Sequence, residues 1–338
     1  EKLGKTLSLI AKNGPNTFYE GDIAEAISKA TKNILTNEDI KNFKSKWVSP
    51  LSIDLYGKTG WVTPPHTQSY LTLATLKAYE IITNSSKDFN PHVLIECYRS
   101  LAADRDHITY DYGDKIDSFI GLDFDYIKSK ALEIDVNQTS LFKSPENLGS
   151  GTAYMAVKDE GGNAVSLIQS NFYGIGSTIG VSDYGFFLHN RGAGFNLIEN
   201  HPNKIAPLRK PLHTLSPTIW SKDGKLDMVI GTRGGRYQPQ LLSQFILPLL
   251  LESSSLEQVM KKSRWTIDYF DEHTESHLIF EPGTDKAIIK DLEQKGHNIK
   301  IEKSMQGSYG PISAICKDNN GQWSGVADSR VETSKAIY

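Results

Sequence analysis

Apolar residues recur at helical spacing through much of the first 130 positions and at alternate positions after residue 151. The chain therefore predicts helices first and strands second. Helices are expected over 3–12, 22–33 and 91–107, with a further start at Asn37-Glu38-Asp39. Ile53-Asp54-Leu55-Tyr56 and Thr59-Gly60-Trp61-Val62 flank Gly57-Lys58 as a short hairpin before Pro64-Pro65. The polar stretch 136–150 reads as a connector. Strands follow over 152–158, 164–170, 184–189 and 225–231, then helices over 238–252, 255–262 and 284–295. Short strands near 276–280, 297–302, 311–317 and 323–327 complete the pattern. Helices, a run of strands and more helices predict stacked layers around central sheets.

The alternation in Thr152-Ala153-Tyr154-Met155-Ala156-Val157-Lys158 and in 164–170, joined by Asp159-Glu160-Gly161-Gly162-Asn163, predicts an antiparallel hairpin. A turn centred on Gly161 sets Thr152 opposite Ser170, with Cβ atoms ~4.5–5.5 Å apart. A threonine made N-terminal by cutting after Gly151 carries its own general base, because its α-amine takes the proton from its own hydroxyl. That amine has an ordinary pKa of about 7.7–8.0, suited to proton transfer at neutral pH. Ser170 would hold the hydroxyl in place. On pattern alone, a Gly-Thr pair before a strand reads first as an ordinary strand entry.

Leu226 to Gln240 reads as strand, glycine turn and helix, the turn being Arg233-Gly234-Gly235. Such a turn aims backbone N–H groups at an anion or a developing oxyanion, or serves the fold alone. It lacks the endings of a phosphate loop and of a dinucleotide fingerprint. Pro211-Leu212-His213-Thr214-Leu215-Ser216-Pro217 is a hydroxyl-rich loop. Arg191 either grips a substrate carboxylate or pairs with a surface acid. Ala102-Ala103-Asp104-Arg105-Asp106-His107 reads as a structural ion-pair cluster.

A net charge of −3 over 338 residues gives no basic footprint for nucleic acid. The longest apolar run, 245–251, is too short to span a bilayer and contains a proline. A soluble chain acting on a small molecule is expected, without nucleic-acid or membrane partners. The first residues lack a signal-peptide pattern, and compartment stays open with the cytoplasm as the leaning. Cys97 and Cys316 are expected as buried small hydrophobes, and neither they nor any histidine motif suggest a metal or other cofactor.

The segment from Ser150 to Gly194 resembles the gamma-glutamyltranspeptidase (glutathione hydrolase) family of N-terminal-nucleophile hydrolases, with Thr152 on the family's nucleophilic threonine. Ala11-Lys12-Asn13-Gly14-Pro15 through Gly21 looks like its large-subunit signature, Ala103-Asp104-Arg105 matches its Ala-Asp-Arg, and Gly310 to Arg330 looks like its C-terminal strands. The resemblance implies an α+β fold, a four-layer αββα sandwich. It also implies a precursor cut between Gly151 and Thr152 into a mainly helical 1–151, part of the large subunit, and a 152–338 small subunit. These would stay together as a heterodimer, with a dimer of heterodimers left open. Gly234 and Gly235 correspond to the oxyanion-hole glycines and Ser170 to the second hydroxyl, usually threonine.

Other positions depart from the family. Asn171-Phe172 stands where an asparagine lies two residues after the second hydroxyl, and Gly194 replaces the aspartate that grips the substrate α-amine. His213-Thr214 replaces a Ser-Ser pair that binds the carboxylate, Arg191 replaces a polar amide or acid, and Ala153 replaces a second threonine. The 195–211 segment is short for a lid, and the family's N-terminal portion, with its carboxylate-binding arginine, has no counterpart. Loss of a charge-assisted hydrogen bond, roughly 1.5–3 kcal/mol, weakens γ-glutamyl recognition by roughly ten- to a hundredfold or more. The expected activity is therefore cleavage of γ-glutamyl or similar amides through an acyl-enzyme on Thr152, released to water or an amine. Two alternatives remain: a dicarboxylic-monoamide acylase of the cephalosporin type, with Arg191 or Arg233 on the distal carboxylate, and a non-catalytic binding paralogue.

Overall fold

The computed structural model of the chain describes residues 1–140, 142, 152–269, 276–318 and 320–337. Gly151 and most of the 136–150 connector lie outside the described residues. In chain order the elements are α1 (Lys2–Asn13), α2 (Asn16–Tyr19), α3 (Asp22–Ala30), α4 (Asn37–Asn42), β1 (Leu51–Leu55), β2 (Lys58–Val62), α5 (Tyr70–Ile82), α6 (Pro91–Ala103), α7 (Arg105–Ile108) and α8 (Phe124–Leu132). After the connector come β3 (Thr152–Lys158), β4 (Ala164–Ser170), β5 (Gly180–Val181), β6 (Phe186–Phe187), β7 (Thr218–Lys222), β8 (Lys225–Thr232), α9 (Gln238–Leu250) and α10 (Leu256–Lys261). The chain closes with β9 (Trp265–Tyr269), β10 (Ser276–Phe280), α11 (Lys286–Gln294), β11 (Ile299–Ile301), β12 (Ile312–Lys317) and β13 (Trp323–Ala327).

Packing divides these into two compact units, residues 1–48 with 170–191 and residues 49–169 with 192–338. The 1–151/152–338 division expected above concerns a backbone cut and is a different kind of boundary.

In the first unit, Ile23 and Ile27 of α3 and Val181 of β5 form a small core joined by Phe18, Tyr184 and Phe186. The strand expected over 184–189 shortens to Phe186–Phe187, which pairs with Gly180–Val181. Thr36 and Asp39 form a reciprocal capping box that starts α4 where the sequence placed it.

The second unit is built on a six-stranded sheet of order β1-β2-β7-β8-β12-β13, every neighbouring pair antiparallel. Alternation sorts its faces. Met228 and Ile230 of β8 and Ile312, Ala314 and Cys316 of β12 join the helical core with α5, α6 and α9. On the other face, Gly231 lies under the ring of Tyr154, so close that a Cβ there would strike the ring. The β3–β4 hairpin thus lies over β8, and helices, sheet and hairpin stack as layers of an α+β sandwich. Asp159 N–H donates to Asn163 O at 3.0 Å, closing the hairpin at its expected turn.

Helix α5 is absent from the periodicity reading because its charged residues are confined to Lys77 and Glu80 and apolar residues cover most of its circumference. Tyr70, Leu71, Leu73, Ala74, Leu76, Ala78 and Tyr79 are all fully buried; a helix apolar over most of its circumference belongs inside the core. Helix α9 substitutes for a strand at the edge of the second, three-stranded sheet β11-β10-β9. Gln240 Oε1 accepts from Ile267 N–H at 2.8 Å, and Gln244 accepts from Trp265 N–H at 3.0 Å and donates to Trp265 O at 2.8 Å. Cys97 and Cys316 are free and buried. The Asp104-Arg105-Asp106 cluster is structural, with Arg105 bonded to Asp106 and Asp104 to Lys130. Among the described residues no helix is long and apolar enough to cross a membrane.

Inside this unit a buried polar knot joins α6 to the segment after α11. His92 Nε2 lies 2.9 Å from Asp135 O, and a carbonyl only accepts, so the proton sits on Nε2 and leaves Nδ1 to accept from His297 Nε2 at 2.8 Å. Burial above all, with the electrostatics of His92 and Arg99 behind it, presses the His297 pKa down to about 3. The native state thus refuses a proton that the unfolded chain takes near 6.5. Stability is present above that value and falls as pH drops toward 3, by at most about 1.4 kcal/mol per pH unit. Denaturation at pH 7 and pH 5 should show the loss, and His297→Gln should flatten it.

Candidate active site

Thr152 opens β3 and is half-buried. Across the same layer boundary, β8 runs into Arg233, Gly234 and Gly235, and a single 3-10 turn over Gly235–Tyr237 leads into α9. Gly234 and Gly235 have φ of 121° and 56°, a region open to glycine at little cost. Gly234 needs that freedom twice, since a Cβ would also run into Tyr309 O. Gly310, at φ 124°, makes the matching approach to Arg233 O.

This turn is braced from behind. The Thr232 hydroxyl lies 2.9 Å from Arg233 O and 3.0 Å from both Gly310 O and Pro311 O. Arg264 Nη1 donates to Gly310 O at 3.1 Å and pairs with Asp328 Oδ2 at 2.6 Å. Arg233 and Pro311 line a cleft of about 620 Å³ together with Ala153, Tyr154 and Ser313. The cleft is thus lined by β3 from Ala153 onward and by Arg233, the residue before Gly234.

The His213-Thr214 loop is fixed by a residue that sequence reading missed. Gln68 is fully buried, and its Nε2 donates to Thr214 O at 3.0 Å and to Gly235 O at 3.1 Å. One side chain therefore sets the spacing between the loop and the glycine turn. Its backbone N–H donates to His213 O at 3.0 Å, and His213 N–H donates to His66 O at 2.9 Å. Gln238 adds a second strut, accepting from Ser216 N–H at 2.8 Å. The available signal was an amide just before an unbroken apolar helix, where a polar group must find partners inside. His213 stands edge-on to His66 with ring centroids 4.5 Å apart, and its Nδ1 donates to Pro211 O at 2.8 Å. Thr214 is buried and does not offer its hydroxyl to solvent.

Gly194 is a packing requirement. A Cβ there would lie 2.5 Å from Leu212 O, and Asn203 Nδ2 already donates to Gly194 O at 2.6 Å. The backbone has closed over the place where an aspartate would stand. Gly194→Asp is therefore expected to cost about 1–3 kcal/mol through overpacking, without a gain in γ-glutamyl-anilide turnover. Denaturant melts and initial rates check both parts.

Four other candidates belong to the first unit. Ser170 Oγ accepts from Phe172 N–H at 2.9 Å, and Asn171 Nδ2 donates to Ile175 O at 3.2 Å. Asn171 O accepts from Asn190 N–H at 3.1 Å, and Asn190 Oδ1 accepts from Tyr173 N–H at 3.0 Å. This clamp holds Phe172 at φ 80° with its ring buried. Arg191 lies over that ring, guanidinium carbon 4.8 Å from the centroid. The side chain is 5% exposed, and Nη1 and Nη2 have no hydrogen-bond partner among the described residues. It is no surface ion pair, and burial alone draws its pKa down to about 10.

The family model described as Gamma-glutamyltranspeptidase matches residues 1–338. Among curated proteins, the chain is 35% identical to the Glutathione hydrolase-like YwrD proenzyme of Bacillus subtilis, over 98% of this chain and 64% of that protein. It is 29% identical to the Oxamate amidohydrolase proenzyme of Klebsiella pneumoniae subsp. pneumoniae, over 99% of this chain and 65% of that protein. Among solved structures, cephalosporin acylase from Bacillus halodurans superposes with a TM-score of 0.85 at 27% identity, covering 100% of this chain and 62% of that one. The chain thus spans slightly less than two thirds of these relatives. With the family model matched from end to end and the sandwich shared, the chain belongs to the gamma-glutamyltranspeptidase family.

Proposed function

We propose that the protein carrying this chain is a self-processing amidohydrolase or acyltransferase whose nucleophile is Thr152. The observation that carries the reading is Thr152 at the head of β3, next in sequence to Ala153, which lines one cleft with Arg233, the residue before Gly234 and Gly235, within a family whose curated relatives are proenzymes. Processing begins when the Thr152 hydroxyl attacks the Gly151 carbonyl carbon and the peptide C–N bond breaks to leave an ester. Water cleaves that ester, freeing the Gly151 carboxylate and the Thr152 α-amine. The amine then takes the hydroxyl proton as oxygen attacks a substrate amide. Gly234 and Gly235 N–H groups hold the oxyanion. The leaving amine departs with the proton, and water or an amine releases the acyl group from Thr152.

The two pieces stay together because they share a sheet. β2 precedes the cut and β7 follows it, and they pair from Thr59↔Ser221 to Val62↔Thr218. α5 and α6 from the first piece and α9 from the second share one core. Separating them would expose that core to water.

A slow amide substrate quenched in turnover should leave its acyl group on the peptide that begins with Thr152, read by mass spectrometry. An adduct on any other residue would reject this nucleophile.

A further inference from the structure

Between α9, α10 and the strands β9 and β10, the second unit leaves a cavity of about 340 Å³ that takes no part in the chemistry above. We propose that this cavity binds a small amphiphile, a medium-chain monocarboxylate, with the hydrocarbon tail inside and the carboxylate on Lys262. The inference is independent of the Thr152 reading and would outlast its failure.

The wall is apolar in effect. Phe245 and Pro248 of α9, Val259 of α10, Trp265 of β9 and Phe280 of β10 line it and are buried. The polar side chains among them are already engaged with backbone. Gln244 accepts from Trp265 N–H at 3.0 Å and donates to Trp265 O at 2.8 Å. Ser263 Oγ donates to Pro282 O at 2.7 Å, and Thr284 Oγ1 donates to Glu281 O at 3.2 Å. A tail entering here exchanges water for hydrocarbon, and the volume lies at the small end of the roughly 300–1,000 Å³ typical of ligand sites.

Charge selects the head group. The charged side chains that line the cavity are Lys261, Lys262, Arg264 and Asp285. Lys261 pairs with Glu257 at 2.6 Å, Arg264 pairs with Asp328 at 2.6 Å, and Asp285 caps α11 by accepting from Ala287 N–H at 2.8 Å. Lys262 has no carboxylate among the described residues. Its Nζ donates to the Ser254 hydroxyl at 2.8 Å and lies 6.0 Å from the centroid of Phe89, an exposed ring that also lines the cavity. Burial, with no acid to oppose it, draws its pKa below the ordinary value. The residue is anchored from its backbone, because Lys262 O accepts from Arg330 Nη2 at 2.9 Å. An unanswered ammonium beside an apolar cavity fits a carboxylate that carries an apolar tail. It repels cations, and a wholly polar anion gains nothing from the cavity behind it.

Calorimetry on the purified full chain at low salt tests this with octanoate, butyrate and octylammonium. Wild type should bind octanoate saturably at one site, roughly tenfold or more tighter than butyrate, which lacks most of the tail, and than octylammonium, which reverses the head-group charge. Lys262→Glu, at an exposed position, should weaken octanoate by roughly ten- to a hundredfold and turn the preference toward octylammonium. Lys262→Arg should retain octanoate. Absence of saturable octanoate binding to wild type, or octanoate bound no tighter than butyrate or octylammonium, would overturn the proposal whether or not the variants fold. A folded Lys262→Glu protein that binds octanoate as wild type does would overturn it as well. Loss of amide turnover in any of these proteins bears on the Thr152 reading and leaves the binding result standing.

Discussion

Thr152→Ala is expected to yield a single uncut chain, with amide turnover lower by ~10⁴-fold or more. The effect is double because one oxygen serves two reactions. Without the hydroxyl nothing attacks the Gly151 carbonyl, so no α-amine is freed, and without both groups no acyl-enzyme forms. Thr152→Ser is the informative contrast: it keeps the oxygen and should still be cut, although the missing methyl loosens the rotamer at the head of β3. Gel mobility of the purified variants and their rates on an anilide decide the matter. An alanine variant cut as wild type would reject the role given to this residue.

Asp328→Ala is expected to cost about 3–5 kcal/mol, a large share of the ~5–15 kcal/mol typical of a folded domain. Asp328 is 1% exposed. Its Oδ2 accepts from Arg264 Nη1 at 2.6 Å and Ile312 N–H at 2.9 Å, and its Oδ1 from Arg330 N–H at 3.0 Å and Arg330 Nη1 at 3.3 Å. Burial pushes this carboxyl upward, yet the Arg264 charge and the backbone donors outweigh it and hold the pKa below its ordinary value. Removing the carboxylate leaves Arg264, itself 4% exposed, without its counter-ion. Because Arg264 also holds Gly310 O, and Gly310 faces Arg233 O, the loss reaches the glycine turn. Denaturant melts should show the destabilisation. Asp328→Asn, which keeps the shape and some of the accepted bonds, should lose less.

The parts of this protein legible in its sequence were those with a local cause. Alternation around Gly161-Gly162 announced the hairpin, and apolar spacing placed helices over 91–107 and 255–262, where α6 and α10 stand with the caps Asn90 and Ser255. The parts that stayed hidden depend on what lies across the fold. Helix α5 is apolar over most of its circumference because other layers enclose it, and periodicity cannot separate such a run from a buried strand. β7 is a short stretch, Thr218–Lys222, defined only by pairing with β2 and β8.

The site divides in the same way. Thr152, Gly234 and Gly235 stood out through hairpin and turn chemistry and through family resemblance. Gln68 did not, since its two carbonyl partners lie more than 140 positions away. Gly194 read as a missing aspartate, whereas the cause is the approach of Leu212 O. Arg191 read as either a surface pair or a ligand contact, and its burial on Phe172 excludes the surface pair.

The most direct test of the account is the intact mass and N-terminal sequence of the purified wild-type protein. Self-processing predicts two polypeptides, the smaller one beginning Thr152-Ala153-Tyr154. A single polypeptide with the Gly151–Thr152 bond intact after prolonged incubation would contradict it.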